Sequence, residues 1–182
     1  VSVFEEETVK SYEVGFKYTG LDGALVFNSA AYFNDFQDVQ AFITFAGPPA
    51  FGVIDNTGDA ETWGVELELA YQINDNYRII AGGNYIDAEI TELKASSDLS
   101  LLTGIVEGQP IPFIPDYSYI IGGDANWQIG GGLEIFANAA YTYTGEYTVF
   151  IDGEPGSRAN PELGDFGVLD FAVGLRNDDW VV

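Results

Sequence analysis

The chain alternates short turns with long connections between segments that each have one apolar face. The long connections are polar or rich in Pro and Gly, and they lie near 46–52, 93–116 and 151–165. Outer-membrane β-barrels combine short periplasmic turns with long external loops. The alternation therefore predicts an all-β fold, an antiparallel transmembrane β-barrel. The short turns are Thr19-Gly20-Leu21-Asp22-Gly23, Asn74-Asp75-Asn76, Gly130-Gly131-Gly132 and Asn177-Asp178-Asp179.

Composition excludes several classes of function. No window holds a run of about 18 apolar residues, so we expect no transmembrane helix and no signal peptide in this chain. The chain has no Cys and no His, which excludes disulfides, thiolate metal sites and the usual general base. Because no catalytic set of residues is present, we expect neither an enzyme nor a cofactor.

The charge is strongly one-sided, with 6 basic and 29 acidic residues and a formal net charge of −23. Nucleic-acid binding is excluded, because neutralising phosphates requires a basic surface. Two interpretations of the acidity stay open: solubility or adaptation to salt, and a role in binding cations. Asp152-Gly153-Glu154 could supply oxygen ligands to Ca²⁺, the alternative being an ordinary solvated loop.

Period-2 alternation predicts seven strands and the start of an eighth. The second strand leaves its apolar face open, because both faces carry large apolar residues. On one face are Leu25, Phe27, Ala31 and Phe33, and on the other Val26, Ala30, Tyr32 and Phe36. The predicted strands are 11–18, 24–45, 53–73, 77–92, 116–129, 133–150 and 166–176, with Trp180-Val181-Val182 beginning an eighth.

Aromatic residues recur eight positions apart on the apolar face of three predicted strands. Eight residues at about 3.3 Å rise, tilted near 40°, span roughly 20 Å. The apolar band of an outer-membrane barrel is roughly 25 Å tall, with an aromatic girdle at each rim. We therefore predict a membrane girdle, the alternative being aromatic residues in an ordinary core. The girdle residues are Trp63, Tyr71, Tyr77, Tyr85, Tyr119 and Trp127.

The opposite face carries small and polar residues, which suit a wet lumen. The acids cluster at the long-loop end, whereas Lys17, Arg78 and Arg176 lie at the short-turn end. Any ligand contacts should come from the long loops and the adjacent lumen face. Four loop aromatics, Phe45, Phe51, Phe113 and Phe150, either line the approach of a ligand or anchor the rim. The predicted lumen-facing residues are Glu66, Glu68, Arg78, Asn84, Asp124 and Asn126.

Several segments resemble one family. Asn56-Thr57-Gly58-Asp59-Ala60 and then Trp63-Gly64-Val65-Glu66-Leu67-Glu68 are similar to the N-x-G-x-A…G-V-E strand entry of TonB-dependent outer-membrane receptors. Ser11-Tyr12-Glu13-Val14-Gly15-Phe16-Lys17 resembles the S-Y-E-x-G-x-K strand of that family, and 30–40 resembles the strand that follows it there. Pro112-Phe113-Ile114-Pro115 also fits the pattern.

The resemblance implies a 22-stranded barrel closed by an N-terminal plug, in the outer membrane of a Gram-negative bacterium. Such receptors import ferric siderophores, haem, cobalamin or oligosaccharides with energy from the TonB complex. The partners implied are outer-membrane lipid, the plug, the rest of the barrel, the TonB complex and a small ligand such as a ferric siderophore. Glu66 and Glu68, two residues apart on one strand face, resemble paired carboxylates, but we interpret them as part of a lumen lining that contacts the plug.

The chain departs from the complete family pattern, because it shows no plug, no TonB box and no terminal strand ending in an aromatic residue. We therefore expect residues 1–182 to be part of one barrel domain, a stretch of its C-terminal portion. Other interpretations stay open: a complete eight-stranded outer-membrane barrel that is structural or carries one apolar ligand, uptake of cobalamin or carbohydrate, and a soluble acidic sandwich or adhesin module. The last requires the face of Trp63 and Tyr71 to be buried in a dry core.

Overall fold

A computed structural model describes residues 4–45, 51–94, 107–149 and 162–182. Seven strands form one antiparallel sheet in the order β1-β2-β3-β4-β5-β6-β9, and β7 pairs with β8 in a small second sheet. No helix long and apolar enough to cross a membrane occurs in the described part of the chain. The strands are β1 (Thr8–Gly20), β2 (Leu25–Phe45), β3 (Phe51–Asn74), β4 (Tyr77–Leu93), β5 (Tyr117–Gly130), β6 (Leu133–Thr144), β7 (Tyr147–Thr148), β8 (Glu162–Leu163) and β9 (Phe166–Arg176).

The all-β antiparallel prediction is confirmed, and one strand boundary is wrong. The sixth predicted strand was expected to reach residue 150, but β6 ends at Thr144. Both neighbours of β6 stop at this level, since β5 begins only at Tyr117 and β9 begins at Phe166. Beyond Gly145, whose N–H still donates to the carbonyl of Tyr117 at 2.9 Å, the chain leaves the large sheet, and Tyr147 pairs with Leu163.

The short turns are set by local chemistry. The Asn74 side-chain oxygen accepts hydrogen bonds from the backbone N–H groups of Asn76 (2.9 Å) and Tyr77 (3.1 Å), which makes an Asx turn. Asn177 does the same for Trp180 at 3.0 Å. After this turn Val182 exchanges two backbone hydrogen bonds with Leu175, at 2.7 and 2.9 Å. The predicted eighth strand therefore begins as an antiparallel partner of β9.

The connection between β4 and β5 was predicted as a loop over 93–116, but its second part follows the edge of β4. The N–H of Gly108 donates to the carbonyl of Ile90 at 2.8 Å, and that of Ile111 to Ala88 at 2.8 Å. A regular strand is excluded, because Pro has no N–H to donate to a ladder. The three prolines in this segment are Pro110, Pro112 and Pro115.

The large sheet is a single layer with almost no core of its own. Its only buried apolar residues among those described are Ala60 and Ala88, each 7% exposed. No second layer of described residues covers the face of Trp63, which is 44% exposed, so the described part forms no sandwich core. The sheet is also open, because β1 and β9 lie at its two edges and do not pair with each other.

Strands β2 and β3 are 21 and 24 residues long. A strand that crosses a membrane needs only about 9–11 residues. The additional residues continue the hairpin at the long-loop end, where Phe45 is paired with Phe51. The hairpin therefore extends well past the aromatic rows described below.

Candidate functional site

The two faces of the sheet differ across its whole width. One cross-strand row that joins all seven strands contains only apolar and aromatic side chains, and the next row, on the other face, is mixed and mostly polar or small. The first row is Tyr18, Phe27, Leu69, Ala81, Ile121, Tyr141 and Leu169. The second is Lys17, Asn28, Glu68, Gly82, Ile120, Thr142 and Val168.

Register decides the question that the sequence left open for β2. Phe33 is paired directly with Trp63, Ala31 with Val65 and Phe27 with Leu69. Directly paired residues of an antiparallel ladder point to the same side of the sheet. Leu25, Phe27, Ala31 and Phe33 therefore belong to the apolar face, whereas Tyr32 lies opposite Gly64 on the polar face.

The aromatic residues of the apolar face meet at two levels. Towards the long loops, the rings of Trp63 and Tyr85 are 5.3 Å apart, and Tyr119 stacks on Tyr143 at 5.1 Å. Towards the short turns, Tyr77 and Trp127 are in edge contact at 5.9 Å. Tyr71 lies at this second level, paired with Leu25 and Ile79.

Two tyrosines of the upper level were not among the predicted girdle residues. Tyr117 lies opposite Tyr85, and its ring is 5.7 Å from that of Tyr143. Tyr143 also donates a hydrogen bond to Asp165 at 2.7 Å. Tyr117 lies two residues before the predicted girdle residue Tyr119, and Tyr143 continues the alternating apolar residues of β6. Period-2 alternation could therefore have identified both tyrosines.

The predicted lumen-facing residues all lie on the polar face, in two groups. The first group surrounds a hollow of about 420 Å³ in the middle of the sheet. Glu66 is paired with Asn84, and Asn84 with Ser118, whose hydroxyl donates a hydrogen bond to the Asn84 amide oxygen. Glu68 accepts a hydrogen bond from Asn28 at 3.2 Å.

The second group lies near the short turns, around a hollow of about 280 Å³. Arg78 is paired with Asp124, and Asn126 accepts a hydrogen bond from Arg176 at 3.2 Å. Arg176 also forms an ion pair with Glu134 and lies 5.5 Å from the centre of the Phe136 ring. Sequence reasoning placed Arg176 at this end but did not select it, because its partners lie 42 and 50 residues away.

Of the remaining candidate ligand residues, only Phe113 has a described side chain. Phe113 is 63% exposed, and its N–H donates to the carbonyl of Thr148 at 2.8 Å. Phe150 and Asp152-Gly153-Glu154 lie outside the described residues, as do the side chains of Phe45 and Phe51. No group of three or more acidic side chains that could hold a metal ion occurs in the described ranges.

The hydrogen bond from the Trp127 indole to the Tyr77 hydroxyl, 3.1 Å long, leads to a prediction. Tyr77→Phe should lower the free energy of unfolding of the full-length protein by about 0.5–1.5 kcal/mol, because it removes the bond and keeps the ring contact. Urea titration followed by tryptophan fluorescence measures this change. Tyr71→Phe is the matched control, because the Tyr71 hydroxyl makes no hydrogen bond to the described residues. Equal losses in both variants would contradict the prediction.

With one apolar and one polar face, an up-and-down order and an open sheet, the chain has the architecture of part of a β-barrel wall. A family model for the β-barrel of TonB-dependent receptor-like proteins matches residues 2–182, and the chain belongs to this family. The family resemblance inferred from the sequence motifs is thereby confirmed. The family comprises receptors and transporters.

Two relatives show what kinds of receptor share this sequence. The metal-pseudopaline receptor CntO of Pseudomonas aeruginosa is 29% identical over 143 residues, which cover 79% of this chain and 18% of that receptor. The pesticin receptor of Yersinia enterocolitica is 29% identical over 114 residues, covering 63% of this chain and 15% of the receptor. The chain thus spans less than a fifth of the length of these relatives.

Solved structures share the fold. The ferric yersiniabactin uptake receptor FyuA from Yersinia pestis superposes with a TM-score of 0.70 at 20% identity, over 94% of this chain and 23% of the receptor. The copper transporter OprC gives a TM-score of 0.67 at 20% identity, over 96% of this chain and 24% of the transporter. At such identities the likeness concerns the fold alone.

Proposed function

We propose that this chain is part of the barrel wall of a TonB-dependent receptor that takes up a ferric siderophore or a similar iron complex. The observation that carries the proposal is the apolar row that crosses all seven strands, backed by a polar face, in a chain of this family. The proposal places the protein in the outer membrane of a Gram-negative bacterium. It acts there as a transporter and not as an enzyme.

The apolar face is proposed to meet lipid. Tyr and Trp have an apolar body and a polar tip, which suits the two boundaries of a bilayer. The upper level with Trp63, Tyr85 and Tyr119 then marks one boundary, and the lower level with Tyr71, Tyr77 and Trp127 marks the other. This orientation places the short turns in the periplasm and the projecting β2–β3 hairpin outside the cell.

The polar face is proposed to line the lumen and to contact a plug domain supplied by the rest of the polypeptide. Its two hollows contain carboxylates, amides and guanidinium groups, which hydrogen-bond readily to a polar partner. In the first hollow these are Glu66, Glu68 and Asn84, and in the second Arg78, Asp124 and Asn126. The energy for transport is proposed to come from the TonB complex acting on that plug.

An iron or related metal complex is favoured as the ligand because of the relatives. The proteins similar to this chain include a receptor for metal-pseudopaline, an uptake receptor for ferric yersiniabactin and a probable siderophore receptor, PiuA, of Acinetobacter baumannii. Uptake of cobalamin or carbohydrate by the same kind of barrel has no supporting feature in the described residues. A complete eight-stranded barrel is disfavoured by the open sheet and by the much greater length of the relatives.

Transport of radioactive iron tests this proposal. The full-length protein is expressed in a Gram-negative strain that lacks its own siderophore receptors, and cells are given ⁵⁵Fe complexed by a catecholate, a hydroxamate or an α-hydroxycarboxylate chelator. We expect accumulation from one of these complexes, and its loss when tonB is deleted. Accumulation of labelled cobalamin or maltodextrin without iron uptake would refute the iron assignment, and uptake that persists without tonB would refute the mechanism.

A further inference from the structure

The hairpin of β2 and β3 changes its pairing where it leaves the aromatic rows. Asp38 has a positive φ of 60°, and the register shifts between Phe36 and Val39. The ladder between β1 and β2 ends at the pair of Thr8 and Gln37. Within this bulge, Asp59 accepts a hydrogen bond from the N–H of Asp38 at 2.9 Å. The segment that leads into β1 thus loses its strand partner at the level where the bulge begins.

Residues 4–7 precede the start of β1 and lie towards β3 without regular secondary structure, and we call them the strap. The Asn56 amide oxygen accepts the N–H of Glu5 at 2.6 Å, and its amide nitrogen donates to the carbonyl of Glu5 at 3.1 Å. The same nitrogen donates to the carbonyl of Asp38 at 2.5 Å. The Asn56 amide therefore forms the two hydrogen bonds with the backbone of Glu5 that a neighbouring strand would form. It also binds the backbone of the bulge at Asp38.

Only an amide can make this set of bonds, since it both accepts and donates two hydrogens. Asn56 is only 4% exposed, so these hydrogen bonds replace those that its side-chain amide would otherwise form with water. This explains the role of Asn56 at the start of the Asn56-Thr57-Gly58 motif. A carboxylate of the same shape keeps the acceptor and loses both donors.

The strap has further, more exposed attachments. The backbone N–H of Gln40 donates to the Glu7 carboxylate at 2.8 Å, and the Gln40 side chain donates to the carbonyl of Glu5 at 3.1 Å. Lys94 at the end of β4 lies 3.6 Å from the Glu5 carboxylate and forms an ion pair with Asp38. The hydrogen bond to Asp38 raises the pKa of Lys94 above its usual value of 10.5.

The strap is held mainly by polar contacts and buries little apolar surface against the described residues. With β1 at the open edge of the described sheet, Phe4 is 47% exposed and the Glu5 side chain is 75% exposed. Segments with few buried apolar contacts open locally at much lower free energy than the sheet to which they are attached. We therefore expect residues 4–7 to open at a lower free energy than the ladder of β2, β3 and β4.

We propose that residues 4–7 form a releasable strap across the base of the projecting hairpin, and that Asn56 is the residue that positions it. Fastened, the strap covers the bulge at Asp38 and fixes the direction in which the chain enters β1. Released, it exposes the amide of Asn56 and frees the hairpin beyond the bulge. This inference rests on the contacts of the described residues, and it holds whether or not the transported ligand is an iron complex.

Hydrogen–deuterium exchange of the full-length protein in detergent micelles tests the strap. In the unmodified protein we expect peptides covering 4–8 to exchange more slowly than an unstructured chain, although 4–7 belong to no strand. In Asn56→Asp we expect exchange in 4–8 and 37–41 to accelerate about tenfold, because each of the two segments loses one buried hydrogen bond from the Asn56 amide. Exchange in 63–71, on the wall below, should stay within twofold.

Three variants make the outcome specific. Asn74→Asp, the same change at the short-turn end, should leave 4–8 and 37–41 unaltered. Lys94→Met should accelerate 4–8 less than Asn56→Asp does, because exposed ion pairs contribute little. Gln40→Leu removes one attachment to Glu5 and should accelerate 4–8 alone, which tests the strap even where Asn56→Asp does not fold.

Two results would overturn the proposal. One is free exchange of 4–8 in the unmodified protein, which would mean that the strap is not fastened. The other is equal acceleration of 4–8 and 63–71 in Asn56→Asp, which would mean that Asn56 stabilises the wall as a whole. Faster exchange confined to 4–8 and 37–41 supports the strap.

Discussion

A lysine at Leu67 should strongly impair assembly of the barrel, whereas a lysine at the adjacent Glu68 should be tolerated. Leu67 lies on the apolar face, four residues from Trp63 and four from Tyr71, and is paired with Ser29 and Gly83. A Lys or Arg at the centre of the lipid face of a barrel costs about 2–4 kcal/mol, because the charge loses its hydration. Glu68 lies on the opposite face, beside Asn28, and a charge is already accommodated there.

The measurement compares Leu67→Lys with Glu68→Lys in the full-length protein. The folded fraction is read from the heat-modifiable mobility of barrel proteins in gels, and the free energy of unfolding from urea titration in micelles. The pair is well matched, because both variants place the same side chain at almost the same height. Similar losses in both variants would mean that lipid does not cover the face of Leu67, and the proposed orientation of the wall would be wrong.

Gly58→Ala should produce the second large loss. A methyl group at this position would lie 1.9 Å from the carbonyl oxygen of Glu92, and the φ of Gly58 is +152°, where other residues are rarely found. The obstacle is backbone, so β3 and β4 must separate locally to admit the methyl group. Backbone strain of this kind costs on the order of 1–3 kcal/mol at least.

The control for this prediction is Gly164→Ala, where an added methyl group meets no atom within 4 Å. We expect this variant to unfold at the same urea concentration as the unmodified protein, and Gly58→Ala at a clearly lower one. Equal midpoints for the two variants would mean that β4 does not approach β3 as closely as described. The prediction also gives a physical reason for glycine at the third position of the Asn56-Thr57-Gly58 motif.

The features predicted well from the sequence are those that depend on neighbouring residues. Period-2 alternation separates the two faces of a strand without reference to its partners. The tight turns follow from residues within the turn itself, as with the side-chain oxygen of Asn74 and the positive φ angles of Gly130, Gly131 and Gly132. For this reason the predicted first residues of β3, β4, β5 and β9 lie within two residues of the observed ones.

The features missed from the sequence depend on residues far apart in the chain. The sixth strand was extended too far, because its end is set by where β5 and β9 begin and not by its own composition. Arg176 was not predicted as a lumen-facing residue, because its partners Asn126 and Glu134 lie 50 and 42 residues away in the sequence. Asn56 was noted as part of a motif, but its contact with Glu5 spans 51 residues and leaves no periodic signal.

By itself, the sequence determined that this protein is an antiparallel β-wall with one apolar face, short turns at one end and long connections at the other. Those properties arise from the alternation of side chains and from turn chemistry, which act within a few residues. Only the tertiary structure decided which face of β2 is apolar, where β6 ends, and that Asn56 holds residues 4–7. The face of β2 depends on the register between strands, because a shift of one residue moves every side chain to the other face. The other two depend on contacts between residues far apart in the chain.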